Sequence, residues 1–149
     1  MGTLLATFEL GDYLCAVVAA DVQEVSMAQP RTPAPGAAPC IAGLINLRGQ
    51  VVPTLDLRTR MGISADAAGG DEPAMSVVVR WQDEVWSLLV DRIGDVIEVE
   101  ESQFEPAPDT LTGPWRQLIV GAYKLQSQLL LMLDVAELLA VSGEPALAH

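Results

Sequence analysis

What most constrains this chain is that it contains itself twice. A shift of 71 positions carries Asp12 onto Asp83, Leu14 onto Val85, Val22 onto Ile93, Glu24 onto Asp95 and Val25 onto Val96. A shift of 78 carries Gly43 onto Gly121, Leu47 onto Leu125, Gln50 onto Gln128, Leu55 onto Leu133 and Asp56 onto Asp134 without a gap. The second copy has therefore gained seven residues in its middle loop. Identities held in one ungapped register are better explained by duplication than by the abundance of Leu and Val. At 149 residues the whole chain is the size of one domain. Residues 1–149 are thus expected to form a single unit with subdomains near 1–70 and 71–142, strands free to exchange between them, and a frayed tail over 143–149.

Within each copy the apolar residues alternate with period two. Phe8 and Leu10 precede a Gly11-Asp12 turn, and Tyr13, Cys15 and Val17 follow it, which predicts a hairpin. Val77, Val79 and Trp81, then Gln82-Asp83, then the run from Val85 to Val90 predict a second hairpin with a well-buried return strand. Asp56 and Asp134 stand where an apolar strand stops and a helical turn can begin, so both are expected as N-caps. Asp134 with Glu137 fits an acidic capping box, and Leu138-Leu139 would face the barrel. The expectation is an all-β protein of two tandem barrels, each closing on a short C-terminal helical segment. Pro30, Pro33, Pro35 and Pro39 exclude helix and sheet interior and predict a surface loop. Ser64 to Pro73, with Gly69-Gly70, reads as a flexible seam.

Several function classes fall away. The sole histidine is His149, which leaves no internal imidazole for a nucleophilic triad, a proton shuttle or a zinc site. The 20 acidic and 8 basic side chains give a net charge of −12, which repels nucleic acid. No Gly-rich phosphate loop occurs, and no cofactor or metal is expected. No apolar run reaches the roughly 18 to 20 residues of a membrane-spanning helix, and the N-terminal residues carry no export or lipidation pattern. Cys15 and Cys40 read as buried free thiols. The acid pairs Asp91 and Asp95, and Glu100 and Glu101, read as solvated surface rather than a catalytic or metal pair. Trp81, Trp86 and Trp115 read as packing residues, with Trp115, in the longer loop of copy two, the candidate for an exposed anchor.

Residues present in one copy alone are where a specialised role belongs. Copy one reads Gly43-Leu44-Ile45-Asn46-Leu47-Arg48-Gly49, whereas copy two reads Gly121-Ala122-Tyr123-Lys124-Leu125-Gln126-Ser127. Asn46, Arg48 and Gly49 have no counterpart. The run from Gly43 to Arg58, G-L-I-N-L-R-G-Q-V-V-P-T-L-D-L-R, resembles the signature stretch of CheW domains. Val22 to Val25, Leu89 to Ile97 and Phe104 to Pro108 follow the family's order, so the resemblance covers nearly the whole chain.

That resemblance implies two five-stranded SH3-like barrels around a shared apolar junction. It also implies a non-catalytic adaptor in chemotaxis or a related chemosensory pathway. Its partners would be the cytoplasmic tip of methyl-accepting receptors and the regulatory domain of a CheA-type histidine kinase, in the cytoplasm at membrane-associated receptor arrays. The receptor side would comprise Val22, Glu24, Val25, Gly43, Ile45, Asn46, Leu47, Arg48, Gly49 and Ile93. Each has a structural reading beside this one. Arg48 can pair with Glu24 across strands, Gly43 and Gly49 can serve tight backbone geometry, and the apolar members can be core. The alternative function is a small-molecule-binding β-barrel.

Overall fold

A computed structural model describes residues 2–63, 75–107 and 113–141. The Ser64 to Pro73 seam, the tail after Ser142 and His149 lie outside the described residues. The first copy folds as β1 (Thr3–Leu10), β2 (Tyr13–Val18), β3 (Val22–Met27), β4 (Ile41–Leu47), β5 (Gln50–Asp56) and α1 (Leu57–Met61). The second folds as β6 (Met75–Trp81), β7 (Glu84–Val90), β8 (Arg92–Val99), β9 (Phe104–Pro106), α2 (Pro114–Leu118), β10 (Ile119–Lys124), β11 (Leu129–Leu133) and α3 (Val135–Leu139).

The duplication persists in three dimensions. The offset of 78 carries Leu57–Met61 of α1 onto Val135–Leu139 of α3. It also carries the β4/β5 irregularity at Ile41/Gly43 onto the β10/β11 irregularity at Ile119/Gly121. The bond from Asp56 N–H to the Cys40 carbonyl, 2.7 Å, repeats as Asp134 N–H to Leu118, 2.8 Å.

The sheets, however, do not follow the halves of the sequence. One sheet runs β8-β1-β2-β11-β10-β9 and the other β3-β6-β7-β5-β4. The β1–β2 hairpin of copy one joins the strands of copy two, and the β6–β7 hairpin of copy two joins those of copy one. The exchange is reciprocal: β2 lies parallel to β11 as β7 lies parallel to β5. Both hairpins hold two faces of buried side chains, so each needs partners on both sides.

Beyond the five-strand expectation, β9 adds a sixth strand to one sheet, held against β10 and by a Phe104–Tyr123 ring contact at 5.2 Å. Its counterpart in copy one is a single bridge, Thr32 to Leu44. Pro30, Pro33 and Pro35 flank that bridge, and a chain without those N–H groups cannot extend the ladder. The proline-rich loop does not float free, because Ala34, Ala37 and Ala38 pack against the core.

The main core gathers Phe8, Val17, Leu55, Val77, Trp86, Leu131 and all three helices between the two sheets. Each sheet wraps its other face around a smaller cluster: Ile45, Leu47, Val52, Val78 and Val85 in one, Leu5, Ala16, Val99 and Leu130 in the other. Asp56 and Asp134 cap α1 and α3 by accepting from Arg58 N–H and Glu137 N–H. Leu138 and Leu139 are buried, as the sequence pattern anticipates.

Candidate partner-binding faces

The single-copy segment Asn46 to Gly49 is a two-residue hairpin turn between β4 and β5. Arg48 at φ 53° and Gly49 at φ 85° give the left-handed geometry of a type I′ turn. Asn46 Oδ1 accepts from Gly49 N–H at 2.9 Å and closes it. Gly43 stands at φ 151°, and a Cβ there would lie 2.6 Å from the Thr32 carbonyl oxygen. The pattern G-x-x-N-x-R-G therefore encodes a rigid edge hairpin.

β3 and β4 are the two edges of their sheet, and Arg48 reaches Glu24 across them at 3.5 Å, which marks the closure of the barrel. The pairing of Arg48 with Glu24 across strands thus forms, but loosely. Arg48 Nη2 makes no hydrogen bond to Glu24 Oε1, the Arg48 side chain is 79% exposed, and water screens the pair. Asn46, Arg48, Gly49 and Val25 face solvent at this rim. Ile45 and Leu47 fill the small cluster of this barrel, and Gly43 is buried beside Thr32. Val22 and its repeat partner Ile93 pack instead against the main core, Ile93 on β8 of the other sheet. Nine of the ten residues thus divide into a solvent-facing rim and a set on the same sheet beneath it, and Ile93 stands apart on the other sheet.

The acid pair Asp91 and Asp95 separates. Asp95 is exposed, but Asp91 is no solvated surface acid. Its carboxylate receives Arg58 through Nε and Nη2, each at 2.8 Å, with both side chains at most 10% exposed, and it also accepts from Gly11 N–H at 2.6 Å. Arg58 sits on α1 and Gly11 on the β1–β2 turn, so this ion pair ties the two barrels together. The reading from sequence missed it, although a signal existed: Arg58 maps onto Ala136 and Asp91 onto Ala20, the same one-copy-only criterion that singled out Arg48. Arg60 adds a second tie by donating to the carbonyls of Glu137 and Leu138 at the end of α3. Trp115 is half-buried against the core and packs on Tyr13 with ring centroids 4.5 Å apart and the ring planes tilted by 48°.

Exposed apolar side chains also recur by the repeat. Val25 on β3 matches Val96 on β8, at 42% and 59% exposure, and Val51 on β5 matches Leu129 on β11. Met27, at the end of β3, is 76% exposed. No group of metal-ligating side chains occurs among the described residues. Burial raises both thiols, that of Cys15 to about 12, which holds them protonated and poorly nucleophilic.

Two barrels clamped by a buried ion pair, with apolar edge strands and a stiff polar hairpin at the rim, define a β-barrel scaffold that offers surfaces to other polypeptides. The family model for the CheW-like domain matches residues 5–142. The chain belongs to the CheW-like domain family. It is 31% identical over 133 residues to the chemotaxis protein CheW of Bacillus subtilis, covering 89% of this chain and 84% of that one. It is 29% identical over 147 residues to the chemotaxis protein CheW of Treponema pallidum, covering 97% and 86%. The crystal structure of the scaffolding protein TtCheW from Thermoanaerobacter tengcongensis superposes with a TM-score of 0.85 at 28% identity, over 100% of both chains.

Proposed function

We propose that this protein is a non-catalytic adaptor that couples methyl-accepting chemoreceptors to a CheA-type histidine kinase in chemotaxis or a related chemosensory pathway. The observation that carries the reading is the match to a scaffolding protein over the whole of both chains, together with relatives named for chemotaxis along most of their length. No helix among the described residues is long and apolar enough to cross a membrane, so its place at a receptor array would come from binding receptor and kinase.

The receptor side is the rim of the β3–β7 barrel: Val25, Asn46, Arg48 and Gly49 as contacts, with Glu24, Gly43, Ile45, Leu47 and Val22 shaping the backbone beneath and Ile93 joining from β8 of the other sheet. Support comes from the exposed guanidinium on a turn whose geometry is over-determined, a preorganised cation beside apolar edge residues. Val96 on the edge strand β8, with the exposed Val51 on β5 and Leu129 on β11, supplies apolar surface for the kinase regulatory domain. The small-molecule alternative has less to stand on. The cavity of about 380 Å³ beside Glu9, Asp12, Tyr13 and Gln128 opens at a turn, while a cluster of buried apolar side chains sits inside each barrel.

Titration calorimetry with a CheA-type regulatory domain tests the adaptor reading. Binding at micromolar concentrations is expected, and a folded sample that shows none at tens of micromolar would overturn it.

A further inference from the structure

Among the described residues, three buried side-chain oxygens find no hydrogen-bond partner in the chain: Glu24 Oε1, Ser26 Oγ and Thr54 Oγ1. All belong to the sheet β3-β6-β7-β5-β4. Two of them join a band of hydroxyls that crosses four neighbouring strands on one face: Ser26 on β3, Ser76 on β6, Ser87 on β7 and Thr54 on β5. The registers place Ser26 opposite Ser76 and Thr54 opposite Ser87, and the Ser76 and Ser87 hydroxyls bond to each other at 2.5 Å. Ser76, Ser87 and Thr54 are 2% exposed or less. They share the face of Val78, Val85 and Val52, which fill this barrel's own cluster.

The fold does not demand such a band, and the chain carries its own control. In the other barrel the repeat-equivalent positions are Ile97, Leu5, Ala16 and Met132, paired in the same registers, Leu5 with Ile97 and Met132 with Ala16. There those positions are apolar, and the buried hydroxyl described on that face, Thr7 opposite Ala16, is satisfied by donating to the Asp95 carbonyl at 2.6 Å. An unpaired buried hydroxyl costs about 1–3 kcal/mol, so a row of them within aliphatic walls requires polar company.

We propose that the interior of the β3–β7 barrel is a hydrated site, binding ordered water at Thr54 Oγ1 and at Ser26 Oγ beside Glu24 Oε1. Water is the ligand class that fits, because hydroxyls both donate to it and accept from it. A water at Glu24 Oε1 supplies the donor that Arg48, at 3.5 Å, does not, and leaves the guanidinium available at the rim. The inference stands apart from the adaptor reading, since it concerns the barrel interior alone.

High-resolution crystal structures of the wild type and of Thr54→Val, with melting curves of both, decide it. Water is expected within about 2.7–3.0 Å of Thr54 Oγ1 in the wild type and to be missing in the near-isosteric variant, whose Tm falls by about 2–6 °C. A dry barrel, a Thr54 hydroxyl bonded to a carbonyl of the chain, or a variant melting at or above the wild-type temperature overturns the proposal. The wild-type water alone settles the matter should the variant fail to fold.

Discussion

Arg58 and Asp91 form a bidentate pair at 2.8 Å inside the junction of the barrels. Two charges withdrawn from water cost several kcal/mol each, and good geometry with the additional Gly11 donor offsets that cost. Removing one partner leaves the other charge buried. Asp91→Ala is therefore expected to lose about 3–5 kcal/mol of stability in urea titration, and the Arg58→Met/Asp91→Leu double variant to recover much of it. If the single variant lost less than about 1 kcal/mol, the pair would be ornamental. Arg48 behaves oppositely. Its side chain is 79% exposed, so Arg48→Ala is expected to melt within about 2 °C of the wild type yet to bind a receptor tip more weakly. A large loss of Tm would return Arg48 to a structural role. Cys15 carries a pH signature. Burial raises its thiol from 9.0 to about 12, so the folded state holds the proton where the unfolded chain gives it up. The stabilisation is whole below about pH 9 and declines as pH rises from about 9 towards 12. Urea midpoints are expected to fall between pH 8.5 and about 10.5, less steeply in Cys15→Ala.

Among the elements, the edge hairpin of β4 and β5 is the most constrained. Gly49 at φ 85° has open space around it, so an added methyl costs only conformational strain, whereas at Gly43 it would strike the Thr32 carbonyl. Gly49→Ala is accordingly expected to cost about 1 kcal/mol and Gly43→Ala distinctly more, with loss of the Thr32–Leu44 bridge visible in amide exchange. Equal costs would mean that the proline-rich loop yields. The short helices α1 and α3 depend on their caps and on packing rather than length, since five residues cannot sustain a helix alone. Both cap residues were legible in the sequence, because an Asp at the end of an apolar strand has few other uses. The sixth strand β9 was not legible, because three residues carry no periodicity and the pairing with β10 is non-local.

For the whole molecule, the reciprocal exchange of hairpins means that neither half of the sequence contains a complete sheet. Fragments 1–70 and 71–142 are each expected to be unfolded alone by circular dichroism and to gain β signal when mixed, because β1–β2 finds its partners β8 and β11 only in the other copy. A folded isolated fragment would show that the barrels need no exchange. The Arg58–Asp91 pair and the grip of Arg60 on α3 act at this scale too, holding two similar barrels in one asymmetric arrangement.

The amino-acid sequence by itself determined the duplication, the alternating strands, the capped helical turns and the one-copy turn Asn46 to Gly49, because period, cap chemistry and positive φ are local properties. It also carried the family signature. Tertiary structure alone decided which hairpin completes which sheet, that Asp91 is buried rather than solvated, and that Arg48 is a rim cation rather than half of a tight pair. Those outcomes depend on which distant surfaces meet and on how much water they exclude, and side-chain identity along the chain does not encode either directly.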